Sequence, residues 1–227
     1  MSTKIDRALY GPSWTEVIFG ALLSLVLGVV LAVAYLITKP VTTVKEMPKE
    51  PVTGMVYHIE GSKDGTRGRS WVAKRQQLVA GLSVTLSEDE LNTAVTAVNA
   101  PAPRKAGAKE EPVAEAKPGA FTAGAPNFRI RDQALQIAVP VTINTLDLGL
   151  NVLVQARGDF EKQGDQFVFN PKSLLVGSCP VEKIPGLSTI IMNKFVGTQK
   201  MPEDIAGAWA KLANVSIDGT KLKLDAP

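Results

Sequence analysis

The chain has 227 residues, a formal net charge of +3, one cysteine and one histidine. A lone cysteine excludes an intramolecular disulfide, and one His with one Cys cannot build an ordinary zinc site. The mild charge, spread without a long basic block, makes no demand for nucleic acid as a partner.

Residues 1–16 read as a short polar head carrying Lys4 and Arg7. Residues 17–38 are an unbroken apolar run with no charge between Glu16 and Lys39. Roughly 22 residues at helical rise cover about 33 Å, enough to cross a hydrocarbon core. Val17, Phe19, Leu22, Leu25, Leu27, Val30, Leu31, Tyr35 and Ile37 are the expected lipid-facing anchor. Trp14 and Lys39 are the expected interfacial residues, one at each end. Ala32-Val33-Ala34 also offers a small-residue cleavage pattern, so a signal peptide is the competing reading. The run is longer than the roughly 7–15 residues of a signal h-region, which favours an uncleaved anchor. Gly20, Ser24 and Gly28 recur at small-xxx-small spacing, a pattern that can let two membrane helices approach. Lysines flank both ends, so the positive-inside rule does not orient the span; the expected arrangement puts the head in the cytoplasm and the bulk of the chain outside the inner membrane.

Residues 39–54 are rich in Pro, Lys, Glu and Thr and read as a stalk. Residues 55–60 alternate as a short strand. Residues 61–70 form a glycine-rich basic loop. Its Gly65-Thr66-Arg67-Gly68 is a weak match to the loop with which KH modules clamp a nucleic-acid backbone, and a solvated loop is the plainer reading. Arg67, Arg69, Lys74 and Arg75 form a candidate basic patch. A helix is expected over 71–80 and a strand over 82–86. Ser87 and Glu90 form a capping box that starts a helix, with Glu88, Asp89 and Glu90 at its positive end. Those three acids read as caps rather than metal ligands, because consecutive helical positions point in different directions.

Residues 100–126 are an Ala/Pro/Lys/Glu low-complexity insertion expected to be disordered. Beyond it, alternation predicts strands over 128–131, 135–143 and 146–160, then 166–176 interrupted at Pro171, joined by short turns as a meander. Pro140 lacks a donor and should face an edge or a bulge. Pro180 and Pro185 break the pattern. Leu187, Ile190, Ile191 and Phe195 suggest a helix. Pro202 starts another, whose buried stripe is Ile205, Ala208, Trp209 and Leu212. Asp218-Gly219 turns a final hairpin. Cys179, between Ser178 and Pro180, reads as a small core residue rather than a nucleophile.

The expected fold is α+β: one N-terminal transmembrane helix, then an antiparallel meander packed with two to four short helices over residues 55–227. The ordered series LSEDELN (86–92), FRIRDQALQIAVPV (128–141), GDF (158–160), FNPKSLLVG (169–177) and the proline-rich exit at 180–185 resembles the YpmS-like family of bacterial single-pass membrane proteins. The resemblance implies an extracytoplasmic domain and brings no catalytic residues with it. The insertion at 100–126 departs from the compact form of that family.

No nucleophile elbow, Walker loop, dinucleotide fingerprint or HExxH occurs. No cofactor and no catalytic residue is therefore assigned. The expectation is a non-catalytic, membrane-anchored envelope domain that binds a protein, an envelope polymer or a lipid, with a lipid groove as its sharper form. The alternatives are an envelope hydrolase using acids or a serine, and a cytoplasmic-facing domain whose basic patch meets anionic lipid or nucleic acid.

Overall fold

A computed structural model describes residues 11–99, 120–144, 149–184, 186–192 and 202–227. Helix α1 runs Trp14–Thr38, 25 residues. Helical rise makes that about 37 Å, longer than a hydrocarbon core of about 30 Å. It starts earlier than the apolar run because Ser13 is a strong N-cap. The Glu16 N–H donates to Ser13 Oγ (3.3 Å) and the Ser13 N–H donates to the Glu16 carboxylate (3.2 Å). This capping box places Trp14 in the first turn, 82% exposed. Lys39, extended ahead of Pro40, ends the helix.

The expected stalk is not a free spacer. Within it, β1 (Thr42–Val44) pairs in parallel with β2 (Tyr57–Ile59), Thr42 opposite Tyr57 and Val44 opposite Ile59. About a dozen residues join them, the minimum that a parallel crossover needs. The glycine-rich segment folds as a single turn, α2 (Gly65–Gly68), capped by Asp64, whose Oδ1 accepts from the Thr66 N–H at 2.9 Å. Gly68 is buried, and a Cβ there would collide with Thr93 and the Asp89 carbonyl. Gly68 thus serves close packing, whereas Gly65 has open space around it. Helix α3 (Trp71–Val79) buries Trp71 and Leu78, seven apart on one face. Strand β3 (Val84–Ser87) leads directly into α4 (Glu88–Asn99).

The large sheet holds six strands: β4 (Phe121–Ala123), β5 (Asn127–Arg131), β6 (Ala134–Ile143), β7 (Leu150–Gln163), β8 (Gln166–Val176) and β9 (Cys179–Pro180). Strand β4 falls in the tail of the expected insertion, so residues 121–123 belong to the sheet, whereas 100–119 lie outside the described residues. The Asp132-Gln133 turn has positive φ at both positions (50° and 54°), the conformation that matches the twist of a two-residue hairpin. Both β4 and β5 pair with the same side of β6. Pro140 faces the gap between them, where its carbonyl accepts from the Gly124 N–H at 2.7 Å. The donor that proline lacks would point the same way, into that gap, so no ladder bond is lost. Opposite Pro171, the β7–β8 register shifts between Arg157 and Gly158. A Cβ at Gly158 would collide with the Asn170 backbone, so only glycine fits the bulge.

A short 3-10 turn (Val181–Lys183), α5 (Leu187–Ile191) and α6 (Glu203–Trp209) follow. The chain then forms the hairpin β10 (Asn214–Asp218) and β11 (Lys221–Asp225). Strand β11 also pairs with β3, Leu222 opposite Leu86 and Leu224 opposite Val84, making a three-stranded sheet from distant parts of the chain. The fold is α+β. The residues expected at 145–148 and around Phe195 lie outside the described segments.

The apolar face of the large sheet carries the core as two adjoining clusters. One gathers Ile130, Leu135 and Phe167 of the sheet with Trp71, Leu78, Ile205, Leu222 and Leu224. The other gathers Val139, Val154, Leu174, Cys179, Val181 and Ile191. Ile137 and Phe169 pack against both and make the core continuous. Trp209 ties α6 down twice: its ring lies 5.6 Å from that of Phe160, and its Nε1 donates to the Phe167 carbonyl at 2.9 Å. The apolar face of the sheet is thus covered by the protein's own side chains.

Candidate functional site

The end of α1 is built into the domain. Val33, Leu36 and Ile37 pack against the second core cluster. The Ser178 N–H donates to the Leu36 carbonyl (3.0 Å), and Ser178 Oγ donates to the Lys39 carbonyl (3.4 Å). Lys39 Nζ donates to the Gly54 carbonyl (2.5 Å). Gly177, at φ +58°, brings the β8–β9 turn so close that a Cβ would collide with the Ile37 carbonyl. Val17, Phe19, Leu22, Leu25, Leu27, Val30, Leu31 and Tyr35 are all about half exposed or more, whereas Ile37 turns from the lipid-facing set into the joint. No residue of α1 is fully buried, and the helix is long and apolar enough to cross a membrane.

Residues 87–92 form a polar hub rather than a metal centre. The capping box is present: the Ser87 N–H donates to Glu90 Oε2 (2.8 Å) and the Glu90 N–H to Ser87 Oγ (3.4 Å). The three acids reach in three directions. Glu88 accepts from the Ile130 N–H (2.8 Å), Asp89 from the Asp64 N–H (2.8 Å) and Ser62 Oγ (2.5 Å), and Glu90 from Lys74 Nζ and Ser70 Oγ. Burial pushes the Glu90 carboxyl up, but the bonds from Lys74, Ser70 and the Ser87 N–H outweigh it and hold it below the usual carboxylate range. Asn92, 1% exposed, ties α4 to both neighbouring segments. Its Nδ2 donates to the Ser62 and Phe128 carbonyls (2.8 Å each), and its Oδ1 accepts from the Phe128 N–H (2.7 Å).

The same geometry disperses the basic patch expected from sequence. Lys74 is bound to Glu90 (2.6 Å) and to the Thr85 carbonyl. Arg75 pairs with Asp204 (2.7 Å), and Arg67 lies between Asp64 (3.4 Å) and Asp89 (4.0 Å). Of the four, only Arg69 has no carboxylate partner among the described residues; it and Arg67 are exposed, while Lys74 and Arg75 are held in ion pairs.

The sheet's other face is polar where β2 lies over it. His58, 4% exposed, donates from Nδ1 to Gln155 Oε1 (3.2 Å), which also accepts from Gln136 Nε2 (3.2 Å). Gln155 Nε2 is buried with no partner among the described residues. Burial lowers the His58 pKa; the Gln155 bond opposes that shift without cancelling it. A depressed imidazole pKa means that the unfolded chain binds the proton first. Stability is therefore complete above about pH 6.5 and falls as pH drops from there towards the folded pKa, with a slope of at most about 1.4 kcal/mol per pH unit. The carboxylate Glu90 acts only in a more acidic window. Thermal melts of the parent between about pH 7.5 and pH 5.5 should show this loss. His58→Gln should flatten it, and an unchanged slope in the variant would remove His58 as its source.

Beside this pair, Arg129, Arg131 and Arg157 converge with Gln136, Asp132 and Ile59 around a cavity of about 280 Å³. The register sets Arg129 opposite Gln136 and Gln136 opposite Arg157, on one face of three adjacent strands. Sequence reading passed over these arginines because polar residues alternating along a half-buried strand look like a solvated face. Only the pairing of three strands brings them together.

No family model matches the chain, and no curated protein or solved structure matches it.

Proposed function

We propose that the chain is a single-pass inner-membrane protein whose α+β domain lies outside the cytoplasm, is fixed at the bilayer surface, and acts by binding a partner there rather than by catalysis. The observation that carries this reading is the joint at Leu36, Ile37, Gly177 and Ser178, where the last turns of an exposed apolar helix enter the domain core. A helix so docked is an anchor that sets the orientation of what it carries, and a tether of that kind is of use to a binding surface. A cleaved leader would have no need of Val33 packed in the core.

The acids clustered at 88–90 and the single histidine are engaged in holding the fold, which favours the binding reading. Glu88, Asp89 and Glu90 are bound to backbone N–H groups of other elements or of their own cap, and the single histidine, His58 of β2, is buried against Gln155. The test of sidedness is a pair of reporters fused after Pro227, one active only outside the cytoplasm and one only within it. The first should be active and the second silent. Activity of the cytoplasmic reporter alone would overturn the placement.

A further inference from the structure

The arginine-lined cavity is electrostatically incomplete. The Arg129 guanidinium is half-buried and has neither an ion pair nor a hydrogen bond among the described residues, and the same is true of the exposed Arg131 guanidinium. Arg157 is the exception, with Nη2 2.9 Å from Asp132 Oδ2, but that carboxylate is 80% exposed and such surface pairs hold weakly. Three guanidinium groups against one carboxylate leave a formal charge of about +2 at one concave spot. Burial depresses the Arg129 pKa, and the charge of Arg131 adds to that, while Glu88 and Asp132 pull the other way. A fold that brings three guanidinium groups together at a concavity lined by a single, exposed carboxylate is stabilised by an anion that enters. Guanidinium groups present paired N–H donors that match the oxygens of phosphate in parallel bonds.

We infer that the cavity bounded by Arg129, Arg131, Arg157 and Gln136 binds a phosphate-type oxyanion, carried on a lipid headgroup or on a soluble ester. The excess charge suits a phosphate monoester better than a single carboxylate. Both sources are within reach. Ile59 at the cavity sits across from Val44, which is five residues past Lys39, a chain distance of at most about 17 Å. The inference rests on reading the domain as a binding module, but its test measures anion occupancy and not sidedness, so either can fail alone.

The test uses the full chain in phosphatidylcholine nanodiscs, with inorganic phosphate titrated by calorimetry, and a parallel set of nanodiscs doped with phosphatidic acid. Saturable phosphate binding is expected, weakened at least tenfold by Arg129→Gln and unchanged by Arg75→Gln, whose guanidinium is already paired. Without ligand, Arg129→Gln should melt no lower than the parent, because it relieves repulsion. Should it melt lower, Arg131→Gln carries the same comparison from an exposed position. If phosphatidic acid raises the melting temperature of the parent but not of the variant, and blocks added phosphate, the ligand is a headgroup. If phosphate binds equally in both kinds of nanodisc, it is a soluble ester. Absence of both phosphate binding and a phosphatidic acid effect would overturn the site, as would equal weakening by Arg129→Gln and Arg75→Gln.

Discussion

Asn92→Ala is expected to destabilise the domain by about 3–4 kcal/mol, the largest loss from any single polar substitution in the hub. The amide is buried, and it serves three backbone groups at once: the Ser62 and Phe128 carbonyls and the Phe128 N–H. Alanine leaves the Phe128 N–H without its acceptor, and an orphaned buried donor costs roughly 1–3 kcal/mol. The two carbonyls lose their donors, and the space left by the amide adds to the deficit. In a domain of this size the loss lowers the melting temperature by about 10 °C. Asn127→Ala is the matched comparison, because Asn127 Oδ1 serves the Gly61 N–H (2.8 Å) and its amide makes only a long contact with Asn92 (3.5 Å). It should cost about 1 kcal/mol. If both variants melt together, the hub does not centre on Asn92. Asn92→Asp sharpens the point: it keeps an acceptor for Phe128 but turns an anionic oxygen towards two carbonyls, and should be at least as damaging as alanine.

The sequence announces residues whose neighbours lie nearby in the chain. Ser87 and Glu90 declare a capping box three residues apart. The alternation over Leu135, Ile137, Val139 and Val141 declares β6, and Asp218-Gly219 declares the last hairpin. What stays hidden is long-range. Nothing near Leu222 or Leu224 says that β11 finds Leu86 and Val84 across most of the domain. Asn92 resembles any polar position in mid-helix until Phe128 is placed beside it. Thr42–Val44 is three residues in a proline-rich run, too short for periodicity to register. Leu36 and Ile37 are hidden for another reason: lipid and protein core select the same apolar side chains, so composition cannot reveal where a span stops facing one and starts facing the other. Arg129 and Arg157 combine both limits, being polar residues on separate strands that meet only through the register of β6.

Gly177→Ala is expected to release the anchor helix from the domain while leaving the sheet intact. Two effects act together there. The backbone sits at φ +58°, where a Cβ is strained, and that Cβ would collide with the Ile37 carbonyl. The first effect costs about 1–2 kcal/mol by itself. The second forces the β8–β9 turn away from α1 and breaks the Ser178 N–H to Leu36 carbonyl bond (3.0 Å), which contributes about 1 kcal/mol more. Together they shift the closed joint towards open by about 3 kcal/mol, roughly a hundredfold. Gly164 separates the two effects, because it has φ +63° with open space around it. Gly164→Ala therefore reports backbone strain alone. Amide hydrogen exchange in nanodiscs reads the result directly. The Ser178 N–H should lose about a hundredfold in protection in Gly177→Ala and stay protected in Gly164→Ala, because opening is local. Amides of β6 and β7, such as Val139 and Val154, should keep their protection in both variants. Loss of protection across the sheet in Gly177→Ala would make this glycine a requirement of the whole fold rather than of the joint. An unchanged Ser178 amide would mean that α1 is held elsewhere. A released helix still crosses the membrane but no longer fixes the domain's orientation, so Gly177→Ala separates anchoring from positioning in the same molecule.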